Sequence, residues 1–270
     1  MSFSIALSGK GGSGKTSLAS LVIRYLKKNK TGPILAIDAD PNANLGESLG
    51  LEGRQTVGSI IASFNEEKIN IPSGMTKEAF LEVRLNDVLV ESQGIDLLTM
   101  GRGEGAECYC YPNLILRKFA DSLMDNYAFT VMDNEAGMEH LSRRTTDNVD
   151  ALLIVSNHSV KGVRTVARIR ELVTELKLVV GQELVVINMA PPQLDPRVSE
   201  ELARLGIEPA ALVPEDEMIY QYDLELKPLL DLPDTSKAVR AVDELMARIL
   251  GKRKELPGVA QTGTHKNIGG

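Results

Sequence analysis

Cysteine is nearly missing from this chain: 270 residues contain two. So few thiols, with no secretory leader in view, fit a reducing cytosol, where a cysteine pair points to metal or redox chemistry. No apolar run approaches the roughly 20 residues that a membrane-spanning helix needs. The opening "MSFSIALSGKGG" carries no charged n-region and leads straight into a strand. It is therefore not read as a signal peptide, and the expected location is the cytoplasm. An excess of cations is missing as well, since 30 Lys and Arg stand against 37 Asp and Glu, for a net charge of −7. A general binder of phosphate backbones would be basic, so neither nucleic acid nor membrane is an expected partner. Fixed-period repeats and low-complexity tracts are also absent from the pattern.

What the chain does have is apolar content, 43% hydrophobic, enough for a full core at this length. "FSIALS", "PILAID", "IDLLTM", "AFTVMD", "ALLIVS", "ELVVINMA" and "AALVP" read as short buried strands. Helical spacing separates them: Leu18, Leu21, Val22, Tyr25 and Leu26; then Val163, Val166, Ile169, Val173 and Leu176; finally Val239, Val242, Met246, Ile249 and Leu250. "YPNLILRKFADSLMDNY" reads as a further helix. Repeated strand–helix units with nearly continuous apolar strands predict an α/β fold, a single domain with a mostly parallel sheet covered by helices on both faces. The expected domain spans residues 1–250, with 47–94 as a helical insertion and the glycine-rich, polar 251–270 as a flexible tail.

The first strand runs into "GKGGSGKT", Gly9 to Thr16, which satisfies G-x-x-x-x-G-K-[ST] and opens a helix. That context makes it a P-loop and the fold a P-loop NTPase. Gly9, Gly11, Gly12, Ser13 and Gly14 let backbone N–H groups wrap phosphates, and Ser17 follows in the helix. Lys15 is expected on the outer phosphates and Thr16 on Mg²⁺. Two further stretches end strands with carboxylates, "DADPNANL" with Asp38 and Asp40, and "VMDNEAG" with Asp133. Parallel sheets put ligands beyond the carboxyl ends of their strands, so all three are expected near the phosphates. Asp38 and Asp133 are assigned to the magnesium waters and Asp40 to the attacking water.

The base is read as adenine. "INMAPP" offers Asn188 but lacks the lysine and aspartate of a guanine reader, and an asparagine can pair with adenine through both donor and acceptor. "VPEDEM" adds backbone from Pro214 and Glu215 beneath the ring.

The two cysteines, Cys108 and Cys110, lie in "GRGEGAECYCYPN". A bridge from i to i+2 strains disulfide geometry, and the glycines and charges around the pair read as exposed loop. Two inert buried thiols are the bland alternative. Two thiolates on one loop are half of a four-ligand soft-metal site.

Together, "GKGGSGKT", "DADPNANL", "GRGEGAECYCYPN" and "DNEAGMEHLSRRT" resemble the CooC-type nickel-insertion ATPases that mature carbon monoxide dehydrogenase, within the MinD-like family with its deviant P-loop. The P-loop and switch motifs are shared by the whole class, whereas the C-x-C loop and "DNEAG.EHLSRRT" are narrower. The resemblance implies several things at once. ATP and ADP are the nucleotides, and Lys10 reaches the nucleotide of a partner subunit. ATP promotes a homodimer in which Cys108 and Cys110 of both chains complete a four-thiolate site for Ni²⁺, or for Zn²⁺ in the same place. The client is carbon monoxide dehydrogenase or acetyl-CoA synthase. The segment from Asp133 to Gly137 senses the γ-phosphate, and His140, Arg143 and Arg144 relay the change, contact the client, or are ordinary helix-surface charge. A MinD- or ParA-like positioning ATPase is the competing reading; it would add a membrane helix or a basic face. An iron–sulfur scaffold or reductase of the same fold is another, with cysteines set further apart.

Overall fold

The computed structural model describes residues 2–51, 53, 55–67, 71–101, 119–120, 122–135 and 148–253. Seven strands form one sheet: β1 (Phe3–Gly9), β2 (Ile34–Ala39), β3 (Ile95–Thr99), β4 (Phe129–Asn134), β5 (Asn148–Asn157), β6 (Val179–Ala190) and β7 (Pro209–Pro214). Their order is β3-β2-β4-β1-β5-β6-β7, and every pairing is parallel. All seven expected strands are present, and the sheet is wholly rather than mostly parallel among them.

Alternation along the strands explains why helices cover both faces. Ala6, Leu35, Ile37, Leu152 and Ile154 point into one apolar cluster, while Ile5, Leu7, Ala36, Leu153 and Val155 point into the other. Side chains on a strand alternate faces, so strands apolar at every position need a cover on each side. α1 (Lys15–Lys28), α2 (Leu45–Leu49) and α8 (Lys237–Arg253) pack on the second cluster. α3 (Val57–Glu67), α4 (Lys77–Asn86), α5 (Val160–Glu175) and α6 (Pro196–Arg204) pack on the first. α7 (Glu217–Leu224) and a 3₁₀ turn at Leu229–Asp231 connect β7 to α8. Each fully buried leucine or isoleucine in these layers contributes roughly 1.5–3 kcal/mol.

Within the stretch expected as a helical insertion, α2, α3 and α4 account for the described helices, and Val57, Ile60, Phe64, Leu81 and Leu85 join the main core. α1 is locked by Arg24 to the segment just before α8. Its Nε and Nη2 donate to the Leu232 carbonyl at 2.9 and 2.6 Å, and Nη2 reaches Asp234 at 2.7 Å.

The order also defines where a ligand belongs. From β1 the chain moves to one side through β2 and β3, returns through β4, and crosses to β5 on the other side of β1. The crevice at such a reversal opens at the carboxyl ends of the central strands. β1, β2 and β4 end there in Gly9, Asp38–Ala39 and Asp133–Asn134.

Candidate active site

Gly9 closes β1 against the neighbouring strand, where any Cβ would overlap the Val155 carbonyl. Gly14 has φ 79°, and a Cβ there would overlap the Asn188 amide, so this position excludes side chains on two counts. Between them the loop folds back on itself, with Ser13 N donating to Lys10 O at 3.1 Å. α1 then begins at Lys15 with no side-chain cap and no acidic residue in its first turn. Its first N–H groups and the positive end of its dipole are left for an anion.

Lys15 is buried, 7% exposed, and its ammonium donates to Lys10 O across a long 3.5 Å. A buried cation so weakly satisfied suits a negatively charged oxygen. Lys10, Gly11 and Gly12 are exposed, and nothing lies within 4 Å of a Cβ built on either glycine.

The acids converge as the strand ends require. Register pairs Asp38 of β2 with Asp133 of β4, one strand spacing or about 5 Å apart. Thr16 Oγ1 donates to Asp133 Oδ2 at 2.6 Å, while Asp133 Oδ1 is buried without a hydrogen-bond partner. Asp38 accepts from Leu45 N at 2.8 Å and Asp40 N at 3.1 Å. Burial pushes the Asp38 carboxyl up to about 7, opposed by those amides and helped by the charge of Asp133. Burial likewise pushes Asp133 up to about 6, against the Thr16 hydroxyl and the Lys15 ammonium, which hold it down. A buried acid pair with an orphaned oxygen beside a hydroxyl is a donor set that a hard, oxygen-seeking cation satisfies. Thr16 and Asp133, with Asp38 behind them, would hold Mg²⁺. Bound there, the ion would neutralise charge developing on transferred phosphoryl oxygens.

Asp40 is half-buried. Its Oδ1 accepts from Asn42 N at 2.8 Å and Asn42 Nδ2 at 2.9 Å, an Asx turn that fixes the carboxylate at the end of β2.

Asn188 stands differently from the expectation that both its donor and acceptor read a base. Its Nδ2 donates to Ser13 O at 3.0 Å and Gly14 O at 3.5 Å, so the amide N–H₂ braces the P-loop instead of facing a base. The reason lies in the packing of Gly14 directly against it. Asn188 nevertheless lines a cavity of about 530 Å³ together with Thr16, Ser17, Pro214, Glu215 and Tyr220. The base-site residues named from sequence thus meet in one concave space beside the P-loop.

Asn134 is a residue that sequence reasoning passed over. Its buried Nδ2 donates to Leu7 O at 2.9 Å and pins the end of β1 beneath the loop. In "VMDNEAG" it looks like any loop asparagine. Tyr220 and Tyr222 on the cavity wall were likewise unassigned. Cys108, Cys110, Gly137, His140, Arg143 and Arg144 lie outside the described residues. Among the described residues, no group of three or more His, Cys, Asp and Glu side chains is placed to hold a metal ion, and no helix is long and apolar enough to cross a membrane.

The family model described as the CobQ/CobB/MinD/ParA nucleotide binding domain matches residues 4–229. The chain belongs to this family. An uncharacterized ATP-binding protein of Methanocaldococcus jannaschii is 41% identical over 92% of this chain and 99% of its own length. The carbon monoxide dehydrogenase accessory protein CooC of Rhodospirillum rubrum is 30% identical over 64% of this chain and 69% of that protein. In fold, the chain is similar to the septum site-determining protein MinD of Pyrococcus horikoshii, solved with Mg-ADP, at TM-score 0.67 and 20% identity, covering 94% of this chain and 99% of that one. Members of the family are ATPases, and this chain is an ATPase of the MinD/ParA class.

Proposed function

We propose that this ATPase is a nickel metallochaperone that dimerises on ATP and delivers the metal to carbon monoxide dehydrogenase or acetyl-CoA synthase. The observation that carries the nickel reading is the Cys108–Cys110 pair in a chain 30% identical to a carbon monoxide dehydrogenase accessory protein. The pair follows β3, which leaves the sheet at the same edge as the P-loop.

In this reading ATP lies with its base in the 530 Å³ cavity, its phosphates on the P-loop N–H groups and Lys15, and Mg²⁺ at Thr16 and Asp133. Asp40 orients the water that attacks the γ-phosphorus. The bond to the β,γ-bridging oxygen breaks, ADP keeps that oxygen, and the water proton leaves with inorganic phosphate. Exposed Lys10 supplies positive charge to the nucleotide of the partner subunit. Loss of the γ-phosphate relaxes the segment after Asp133 and opens the shared thiolate site.

Lys10→Ala is expected to lower ATP-dependent dimerisation and turnover together, read by light scattering and phosphate release. Asp40→Asn is expected to keep nucleotide affinity while turnover falls at least about tenfold. A Lys10 variant that dimerises and hydrolyses like wild type would leave that residue a loop charge.

Anaerobic nickel titration with size-exclusion tests the proposal. Four thiolates shared by two chains bind one nickel per dimer and release protons on capture, because thiols must ionise to become ligands. Cys108→Ser and Cys110→Ser are each expected to abolish tight binding with nucleotide affinity retained. Tight binding of one nickel per dimer in the double serine variant would refute the metallochaperone reading. ATP-dependent binding to lipid vesicles or duplex DNA, without nickel capture, would establish the second reading, a MinD/ParA-like positioning ATPase on the same switch geometry.

A further inference from the structure

Helix α7 buries none of its eight residues. Tyr220, Leu224 and Leu226 are 62%, 65% and 75% exposed, three of the four most exposed large apolar side chains among the described residues. Large apolar side chains exposed this close together in sequence, on a protein otherwise so well packed, point to a contact site.

Leu226 is unusual in a second way. Its φ is 51°, in the left-handed region that favours glycine. Leu226 N donates to Asp223 O at 3.2 Å and Lys227 N to Tyr222 O at 2.8 Å, the paired bonds of a helix end whose left-handed position is most often glycine. A leucine here strains the backbone and buries almost nothing within its own chain. Packing within the chain does not explain the choice; a contact with a bound molecule does.

Charge narrows the partner. Residues 215–231 hold six carboxylates against one lysine, Lys227, whose ammonium pairs with Glu225 at 2.5 Å. Glu215, Glu217 and Asp223 are exposed around the apolar residues. A two-fold contact of this face with itself would set carboxylates against carboxylates, so a second copy of the chain is disfavoured. Tyr220 and Leu226 also line the nucleotide cavity, whereas Leu224 lies outside it, so a bound nucleotide covers the patch only in part.

We propose that α7 and Leu226 form a docking surface for a partner protein that surrounds an apolar recess with basic side chains. Met218, Ile219 and Tyr222, on the inner side of the same helix, are half-buried against the core, and Ile219 and Tyr222 also line the nucleotide cavity. Partner and nucleotide therefore meet at one short helix and the turn after it, where Tyr220 and Leu226 border both contacts. The inference does not depend on which metal, if any, the cysteines carry.

The test uses the full chain and a synthetic 14-residue helical peptide with leucines on one face and lysines beside them, with a glutamate-for-lysine counterpart as control. Leu226→Gly is expected to raise Tm by about 2–4 °C, because glycine accepts the left-handed backbone. The same substitution is expected to weaken the lysine peptide at least about tenfold. Glu217→Lys is expected to weaken it comparably, and the glutamate peptide to bind none of the proteins. A fall in Tm on Leu226→Gly would show that the leucine serves its own fold and would overturn the proposal. Equal peptide binding by all variants, or none by wild type, would overturn it too. An equal loss of ATP affinity in Leu226→Gly would assign the residue to the base site instead. Loss of a concentration-dependent dimer in that variant would assign the face to a second copy.

Discussion

Replacing Lys15 by alanine is expected to reduce ATP turnover at least about a hundredfold, the scale on which loss of one preorganised charge at a transferring group is felt. Lys15 is almost fully buried, and the one hydrogen bond described for its ammonium, to Lys10 O at 3.5 Å, is weak. Its charge is therefore available to a phosphate without first breaking a strong contact, and it costs little reorganisation when the reaction occurs. The same ammonium holds the Asp133 carboxyl down. Its removal leaves Asp133 protonated to higher pH, so the residual turnover of Lys15→Ala should need a more alkaline medium than that of wild type. Phosphate release measured across pH 6 to 9, beside binding of a fluorescent nucleotide, checks both effects. Turnover within about threefold of wild type, with an unmoved pH profile, would remove Lys15 from the phosphate site.

The strands were legible because a wholly parallel sheet makes its strands apolar on both faces. Runs such as "ALLIVS" and "ELVVINMA" have no other use at that length. The helices that follow a long apolar stripe were legible for a similar reason: Val163, Val166 and Ile169 are all buried on α5. α6 and α7 were not read. α6 is nine residues long and announces itself only by Asp195 capping Arg197 N and by Pro196 in its first turn. α7 fully buries no residue, and its half-buried Met218, Ile219 and Tyr222 make too short a stripe to read. At the site, strand-end position alone was enough to bring Asp38, Asp40 and Asp133 together, because every strand of a parallel sheet ends at the same edge. The partner of the Asn188 amide was not legible. It depends on how closely β6 approaches Gly14, and the neighbouring register shift between Ile187 and Ala190, with Met189 at φ 52°, has no local signature. The packing of Asn134 under Leu7 was hidden for the same reason, since it joins positions 127 residues apart.

Asp133→Asn is expected to make the nucleotide-free protein more stable at pH 8 while abolishing magnesium-dependent turnover. The carboxyl is 1% exposed, one of its oxygens has no partner, and burial raises it from the ordinary 3.8 to about 6. Between about pH 4 and pH 6 the folded protein therefore holds a proton that the unfolded chain has released, and Asp38, pushed up to about 7, extends that window upward. With more protons bound in the native state, stability must fall as pH rises through this range, and it has reached its lower plateau by pH 8. A shift of about two pH units corresponds to about 3 kcal/mol. Asparagine keeps an oxygen for the Thr16 hydroxyl, introduces no charge, and relieves the repulsion that raises Asp38. The variant should thus unfold roughly 5–10 °C above wild type at pH 8 and close to it at pH 4.5. Magnesium should stabilise wild type in the presence of ADP and leave the variant nearly unchanged, because the orphaned oxygen that suits the ion is gone. Thermal unfolding at the two pH values, with and without magnesium and ADP, reads all of this. A variant less stable than wild type at pH 8, or displaced equally at both pH values, would mean that Asp133 is not held as a buried charge whose burial outweighs its partners.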